Sequence, residues 1–357
     1  VADKIKVFII DDSALVRRAI TDALLKDPAF EVVGVAHDPL IAMEKLPKLS
    51  PDVITLDMEM PRMDGLTYLK QLKREGSTIP VVIISSLTQQ GSQLAVHAME
   101  AGAADVLAKP NGSMDIGNLA AKLAYHLKAA ALSRSKTLRR SPQTSLPAPP
   151  QGITPKAPPA SPRSIDRRII VIGASTGGVE ALRYVLPRLS AGLPPILVVQ
   201  HIPAVFSGAV AQRINDLAPY TVREAVDGER LTHGLCLIAP GDFHLSVLQR
   251  PEGYITRLTQ TPPINFCRPA VDVLFRSAAT AAGQRCLGVL LTGMGNDGAV
   301  GMQAIKRAGG ITLAEHEDSC IVYGMPRAAV ALGAVDSSIP LDQMPNAIAR
   351  NLAKLPF

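Results

Sequence analysis

Hydrophobic positions along the chain fall into short unbroken runs, separated by stretches in which they recur every three to four residues. Runs of four to eight residues rich in Val and Ile mark strands covered on both faces of a parallel sheet, and the longer period marks helices lying on it. Residues 4–10 read as a first strand, and Ser13 then caps a helix whose apolar positions are Leu15, Val16, Ala19, Ile20 and Leu24. Further strands are predicted at 31–36, 53–56, 81–84 and 106–108, with a helix near 39–46. Alternation of this kind predicts a doubly wound α/β unit over residues 1–132.

The rhythm stops between 133 and 166, where eight prolines are mixed with Ser, Thr, Gln and basic residues. Such a composition neither propagates a helix nor buries a core, so this stretch is expected to be a basic linker, solvated and partly extended. Apolar runs resume over 167–357. Strands are predicted at 169–172, 193–201 and 286–291, with helices at 179–186 and 299–308, giving a second doubly wound and mainly parallel α/β domain.

In open α/β sheets the carboxyl ends of the strands face one crevice. Asp11 and Asp12 close the first strand, Asp57 the third, Ser85 the fourth, and Lys109-Pro110 the fifth. One aspartate at such a place is more simply a helix cap. Three together suit a hard divalent cation, and a hydroxyl and an ammonium beside them suit an acyl-phosphate on aspartate. The set Asp11-Asp12, Asp57 with Met60-Pro61-x-Met63-Asp64-Gly65, Ser85 and Lys109-Pro110 resembles a response-regulator receiver domain, with a flavodoxin-like parallel sheet. The resemblance implies that Asp57 accepts a phosphoryl group from a chemotaxis histidine kinase. It also implies that Asp12, Asp57 and the Glu59 carbonyl bind Mg²⁺, that Asp11 reaches the ion through water, and that Ser85 and Lys109 act as the switch. Val106 departs from the aromatic residue that receivers usually carry there, so the switch is expected to lean on Ser85.

In the second domain Gly173-Ala174-Ser175-Thr176-Gly177 fits G-x-S-x-G, a sharp strand-to-helix turn that exposes a serine hydroxyl beside the backbone N–H groups of the next helix. An anion-holding loop is the alternative, but the glycine spacing is neither that of a dinucleotide site nor that of a P-loop. His201 follows the next strand and Asp297 the loop after 286–291, so nucleophile, base and orienting acid can meet in one crevice. Singly, His201 competes with His233, His244 and His316, and Asp297 with a turn or cap role. The order Ser, His, Asp is not that of the α/β-hydrolases.

Gly173 to Gly178, Gln200-His201-Ile-Pro203, Ala239-Pro-Gly-Asp242 with His244, Arg268-Pro-x-Val-Asp272-Val-Leu-Phe275, Thr292 to Gly298 and Ser319-Cys-x-Val-Tyr-Gly-Met-Pro326 resemble the CheB family of chemotaxis methylesterases. The resemblance implies a phosphorylation-activated esterase. It would hydrolyse glutamate methyl esters on methyl-accepting chemoreceptors, releasing methanol, and could deamidate receptor glutamines with the same apparatus. Backbone donors near Thr176 and Met294 would hold the oxyanion, and the esterase site would need no cofactor. Cys267 stands where many relatives carry histidine.

Composition narrows the alternatives. A hydrophobic fraction of 47% over 357 residues fills two cores. No run approaches the ~18 apolar residues of a membrane span, so no membrane insertion is expected; with the charged Ala2-Asp3-Lys4 ahead of the first strand, a cytoplasmic location is. Cys236, Cys267, Cys286 and Cys320 lie far apart and are expected to be reduced thiols. The net charge of +6 is concentrated between Arg134 and Arg168, without interleaved aromatics, and no helix-turn-helix follows the first domain, so no nucleic-acid partner is expected.

Overall fold

The computed structural model describes residues 4–86, 88–109, 116–137 and 166–357. Pro110 and the proline-rich stretch 138–165 lie outside the described residues. The chain divides into two compact units, Val1–Thr144 and Ser145–Phe357.

The first unit runs β1 (Ile5–Ile10), α1 (Ala14–Leu24), β2 (Phe30–Ala36), α2 (Pro39–Leu49), β3 (Val53–Asp57), α3 (Gly65–Arg74), β4 (Val81–Ser85), α4 (Gln89–Glu100), β5 (Asp105–Ala108) and α5 (Ile116–Thr137). Its sheet is parallel throughout, in the order β2-β1-β3-β4-β5. That is the flavodoxin-type order, with the switch point between β1 and β3, where Asp11 and Asp57 emerge. Val7, Ile9, Val53, Val82 and Ile84 pack with Ile20 and Leu24 of α1 and Leu123 and Leu127 of α5. Each such side chain contributes about 1.5–3 kcal/mol on full burial, which fixes the strands whose ends carry the polar groups. Ser13 caps α1, its hydroxyl accepting from the Val16 N–H.

α5 continues to Thr137, past the point where the periodicity of apolar residues fades. Polar contacts carry it on: Ser133 donates to the Ala130 carbonyl at 2.6 Å, and Arg134 donates to Pro51 O at 2.7 Å and Asp52 Oδ1 at 2.9 Å. At the other end of the basic stretch Arg168 grips Asp166 through two nitrogens and stacks over the Phe357 ring at 4.0 Å. These two arginines, one near each edge of the basic stretch, are therefore structural ties.

The second unit contains β6 (Ile169–Ala174), α6 (Gly178–Val185), β7 (Ile196–Gln200), α7 (Ala204–Asn215), β8 (Thr221–Glu224), β9 (Leu235–Ile238), β10 (His244–Arg250), β11 (Gly253–Thr259), α8 (Val271–Ala282), β12 (Cys286–Leu290), α9 (Ala299–Arg307), β13 (Ile311–Glu315), α10 (Met325–Ala331), β14 (Ser337–Ile339) and α11 (Met344–Leu352). Seven strands form one parallel sheet, β14-β13-β12-β6-β7-β9-β8, and β10 pairs with β11 as a separate antiparallel hairpin. β6 lies between β12 and β7, so the chain changes direction across the sheet at its carboxyl end. β7 begins at Ile196, later than its apolar run, because Pro194 and Pro195 have no N–H to give.

Candidate active site

Register brings the residues of the second unit together. Ala174 pairs with Gln200 and Gly173 with Leu290, so Ser175, His201 and Thr292 leave three adjacent strands close to one another. The Ser175 N–H donates to Thr292 O at 3.0 Å, and the His201 N–H donates to Ala174 O at 3.0 Å. The Ser175 carbonyl accepts from Gly178 N at 2.7 Å and from Gln200 Nε2 at 2.9 Å. The serine backbone is held from both sides. Gly177 takes a φ of 77°, which a residue with a Cβ adopts only with strain, and turns the chain into α6. Gly293 is needed for a different reason: a Cβ there would lie 2.3 Å from Met325 Sδ and 2.7 Å from the Ser175 Cβ.

Ser175 is 2% exposed, and its hydroxyl oxygen has no hydrogen-bond partner. His201 and Asp297 are joined, Nε2 to Oδ2 at 2.8 Å. The structure thus assembles the histidine and acid and sets the serine on the adjoining strand end, without a bond from its hydroxyl to the imidazole.

Asp297 also accepts from the N–H groups of Val271 at 2.7 Å and Asp272 at 3.0 Å, the first residues of α8, and from Gly298 N at 3.0 Å. Burial alone would raise its pKa, but the His201 contact and these donors lower it below the ordinary carboxylate value. A carboxylate fixed in this way accepts a hydrogen bond from Nε2–H, which keeps the proton on that nitrogen and leaves Nδ1 as the other. That nitrogen faces Cys267 Sγ at 3.5 Å. Burial disfavours the imidazolium, yet Cys267 and Asp297 on the two nitrogens outweigh it and raise His201 above its usual value.

The other histidines have different roles. His244 is fully buried, accepts the Ala270 N–H at Nδ1 and lies 3.2 Å from Pro262 O through Nε2, which secures the residue that precedes α8. His233 pairs with Asp166, and His316 with Asp318. Of the residues in the oxyanion expectation, Thr176 is 1% exposed and its carbonyl accepts from Thr292 Oγ1 at 3.0 Å; Met294 follows Gly293 in the loop beside Ser175. Sequence reasoning missed the α8 N-terminus as the cradle of Asp297, and Gln200 as a clamp on Ser175. The only signal for the cradle was Pro269 ahead of the apolar run 271–282.

In the first unit Asp11 and Asp57 are each 1% exposed, while Asp12 is exposed. One oxygen from each of the three lies within 4.8 Å of the others. Lys109 Nζ donates to Asp57 Oδ2 at 2.6 Å and lies 3.3 Å from Asp11 Oδ2, a buried oxygen that accepts no hydrogen bond. Asp57 Oδ1 accepts from Glu59 N at 3.2 Å. Burial pushes Asp57 up to about 6; Lys109 pulls it down and the charge of Asp11 adds to the rise. Asp11 is raised as well, again chiefly by burial. An all-oxygen donor set with an orphaned oxygen and crowded carboxylates fits a hard cation such as Mg²⁺. Ser85 is fully buried and donates to Gly91 O of α4 at 3.1 Å; its β5 partner is Ala108, and Val106 is buried opposite Ile83.

Comparison with known proteins agrees with both halves. Residues 170–348 match the family model of CheB methylesterase, and 7–121 match that of the response regulator receiver domain. The chain is 46% identical over 353 residues to protein-glutamate methylesterase/protein-glutamine glutaminase 2 of Syntrophus aciditrophicus, covering 97% of this chain and 99% of that one. It is 46% identical over 341 residues to the protein-glutamate methylesterase/protein-glutamine glutaminase of Pectobacterium atrosepticum, covering 96% and 95%. Among solved structures, the catalytic domain of Thermotoga maritima CheB methylesterase superposes on 52% of this chain and 99% of its own, with 38% identity and a TM-score of 0.51.

Proposed function

The chain belongs to the CheB methylesterase family, and from that membership we propose that it hydrolyses glutamate methyl esters on methyl-accepting chemoreceptors under control of its receiver domain. Its relatives are named for glutamine deamidation as well, and the same site serves both reactions with methanol or ammonia leaving. The observation that carries the reading is Ser175: a buried, unpartnered hydroxyl on a rigid turn, beside an imidazole anchored to a carboxylate.

In this mechanism Ser175 attacks the ester carbonyl while His201 Nδ1 takes its proton, and the imidazolium is stabilised by Asp297 across the ring. Nδ1 faces Cys267 in the resting protein, so the serine contact replaces the thiol contact when substrate is in place. Loss of the Cys267 contact favours the neutral imidazole that a base requires. His201 then returns the proton to departing methanol and activates the water that frees the acyl-enzyme. Backbone donors near Thr176 and Met294 serve the oxyanion.

Asp57 is the phosphoryl acceptor and a chemotaxis histidine kinase the donor. Asp12, Asp57 and the Glu59 carbonyl would hold Mg²⁺, with Asp11 contributing to the same acidic cluster; when bound, the ion would supply positive charge to a phosphoryl group. Lys109 and Ser85 read the modification, and Ser85 must leave Gly91 O to do so. The residues fall into a receiver over 1–132, a linker over 133–166 and a catalytic domain over 167–357. No described helix is long and apolar enough to cross a membrane, and we place the protein in the cytoplasm beside the receptors' signalling bundles. Methanol release from methylated receptor membranes, with and without a small phosphodonor, tests the reading. A full-length protein that binds such membranes yet releases no methanol in either condition would refute it.

A further inference from the structure

We propose that Cys267 Sγ and His201 Nδ1 form a binding site for a soft divalent cation of the zinc class, and that its occupation takes the imidazole out of ester hydrolysis. The inhibitory half of this inference rests on the base role given above to His201; the binding half does not.

The geometry is that of a bite already set. Zinc lies about 2.3 Å from a thiolate sulfur and about 2.0–2.1 Å from an imidazole nitrogen, and at a tetrahedral angle those bonds separate sulfur and nitrogen by about 3.5–3.6 Å. Cys267 Sγ and His201 Nδ1 stand 3.5 Å apart. The far side of the ring is arranged as it is around many metal-bound histidines, with the second nitrogen donating its N–H in a hydrogen bond to a carboxylate. Here that carboxylate is Asp297, which is itself fixed by three backbone N–H groups. Ligand atoms of His201, Cys267 and Asp297 all lie within 4.8 Å of one another.

Cys267 is also the accessible thiol. It is partly exposed, whereas Cys236 and Cys286 are fully buried and Cys320 is 1% exposed. A tight bend holds it, with Ile264 and Cys267 exchanging N–H to carbonyl bonds at 3.0 Å and 2.9 Å. The two residues inside the bend, Asn265 and Phe266, have φ of 50° and 63°. The pair of hydrogen bonds that closes the bend sets the sulfur beside the imidazole. On binding, the thiol proton leaves to solvent, sulfur and nitrogen each give an electron pair to the ion, and water fills the remaining positions on the exposed side. Two protein ligands make a reversible site, weaker than the four-ligand sites that hold a fold together.

The test uses full-length Ser175→Ala protein, stripped with chelator and kept in excess Mg²⁺ so that the receiver carboxylates are filled. Titration with Co²⁺ should produce a thiolate-to-cobalt charge-transfer band that saturates near one equivalent and that Zn²⁺ abolishes. Both Cys267→Ser and Cys267→Ala, added to that background and checked for fold by circular dichroism, should lack the band. In the active protein, Zn²⁺ should inhibit methanol release and chelator should restore it. In Cys267→Ser the half-inhibiting Zn²⁺ should rise at least tenfold, each protein being normalised to its own metal-free rate. Absence of the band, or its persistence in both Cys267 variants, overturns the site. A Cys267-dependent band without inhibition upholds the site and overturns the role of His201 as base.

Discussion

Asp57 at the end of β3 and Asp297 in the loop after β12 are 1% and 2% exposed, yet their proton affinities move in opposite directions. Around Asp57 the neighbours are Asp11, Asp12 and one ammonium, so burial prevails and the carboxyl is raised to about 6. Around Asp297 they are an imidazole and the N–H groups of Val271, Asp272 and Gly298, so donors prevail and the carboxyl is lowered. One topology therefore supports two chemistries. A crowded carboxylate edge suits a cation and a phosphoryl group, whereas a carboxylate sealed into a helix N-terminus stays anionic and suits the steadying of an imidazole.

The largest effects should come from breaking the second crevice. Ser175→Ala and His201→Ala should each reduce methanol release by up to about 10⁶, and the double variant should be little worse than either, because groups acting as one unit are non-additive. Losses that multiply would refute the shared mechanism. Asp297→Asn should keep the fold and cost about 10⁴, since an amide no longer enforces the Nε2–H tautomer. Full activity in that variant would point to another carboxylate.

The same substitution at Asp57 should act in the other direction on stability. In chelator, Asp57→Asn removes one of three crowded carboxylates and should raise the unfolding midpoint of the first unit by about 1 kcal/mol equivalent, while Asp297→Asn lowers that of the second. Mg²⁺ at about 100 times its Kd should add about 2.7 kcal/mol to the wild-type first unit and far less to Asp57→Asn. Kinase-dependent labelling should vanish in Asp57→Asn. Differential scanning calorimetry separates the two units, and equal shifts of the same sign would end the contrast drawn here.

How much of this contrast could be read from the chain depends on distance along it. The unbroken runs of β1, β3, β4, β6, β7 and β12 are strands because apolar residues, mostly Val, Ile and Leu, fill both faces, and their polar terminal residues were legible for the same reason. Asp11, Asp57, Ser175 and His201 all stand at such ends. The cradle of Asp297 was not legible, because Val271 and Asp272 lie 26 and 25 residues before it and act through backbone N–H groups that carry no side-chain signature. Ser85 was legible as a crevice residue, but its bond to Gly91 O was not: a hydroxyl rotates to whichever acceptor the fold supplies. The antiparallel pair β10 and β11 went unread too, its mixed polar and apolar positions giving no unbroken run.

The smallest predicted effect separates backbone from side chain as the source of Asp297's charge. Besides His201, Asn265 offers a side-chain donor to it, with Nδ2 3.4 Å from Asp297 Oδ1 and 3.4 Å from Asp272 Oδ2. At that length a hydrogen bond is weak, and the N–H donors on Asp297 stand at 2.7 to 3.0 Å. Asn265→Ala should therefore cost under about 1 kcal/mol, less than about fivefold in kcat/KM. Asn265 also occupies a left-handed backbone position, which alanine tolerates less well, so Asn265→Gly is the companion variant that keeps the bend. If the glycine variant loses a hundredfold in kcat with KM unchanged, the amide is positioning Asp297 after all, and the helix N-terminus alone is not what holds that carboxylate in its anionic form.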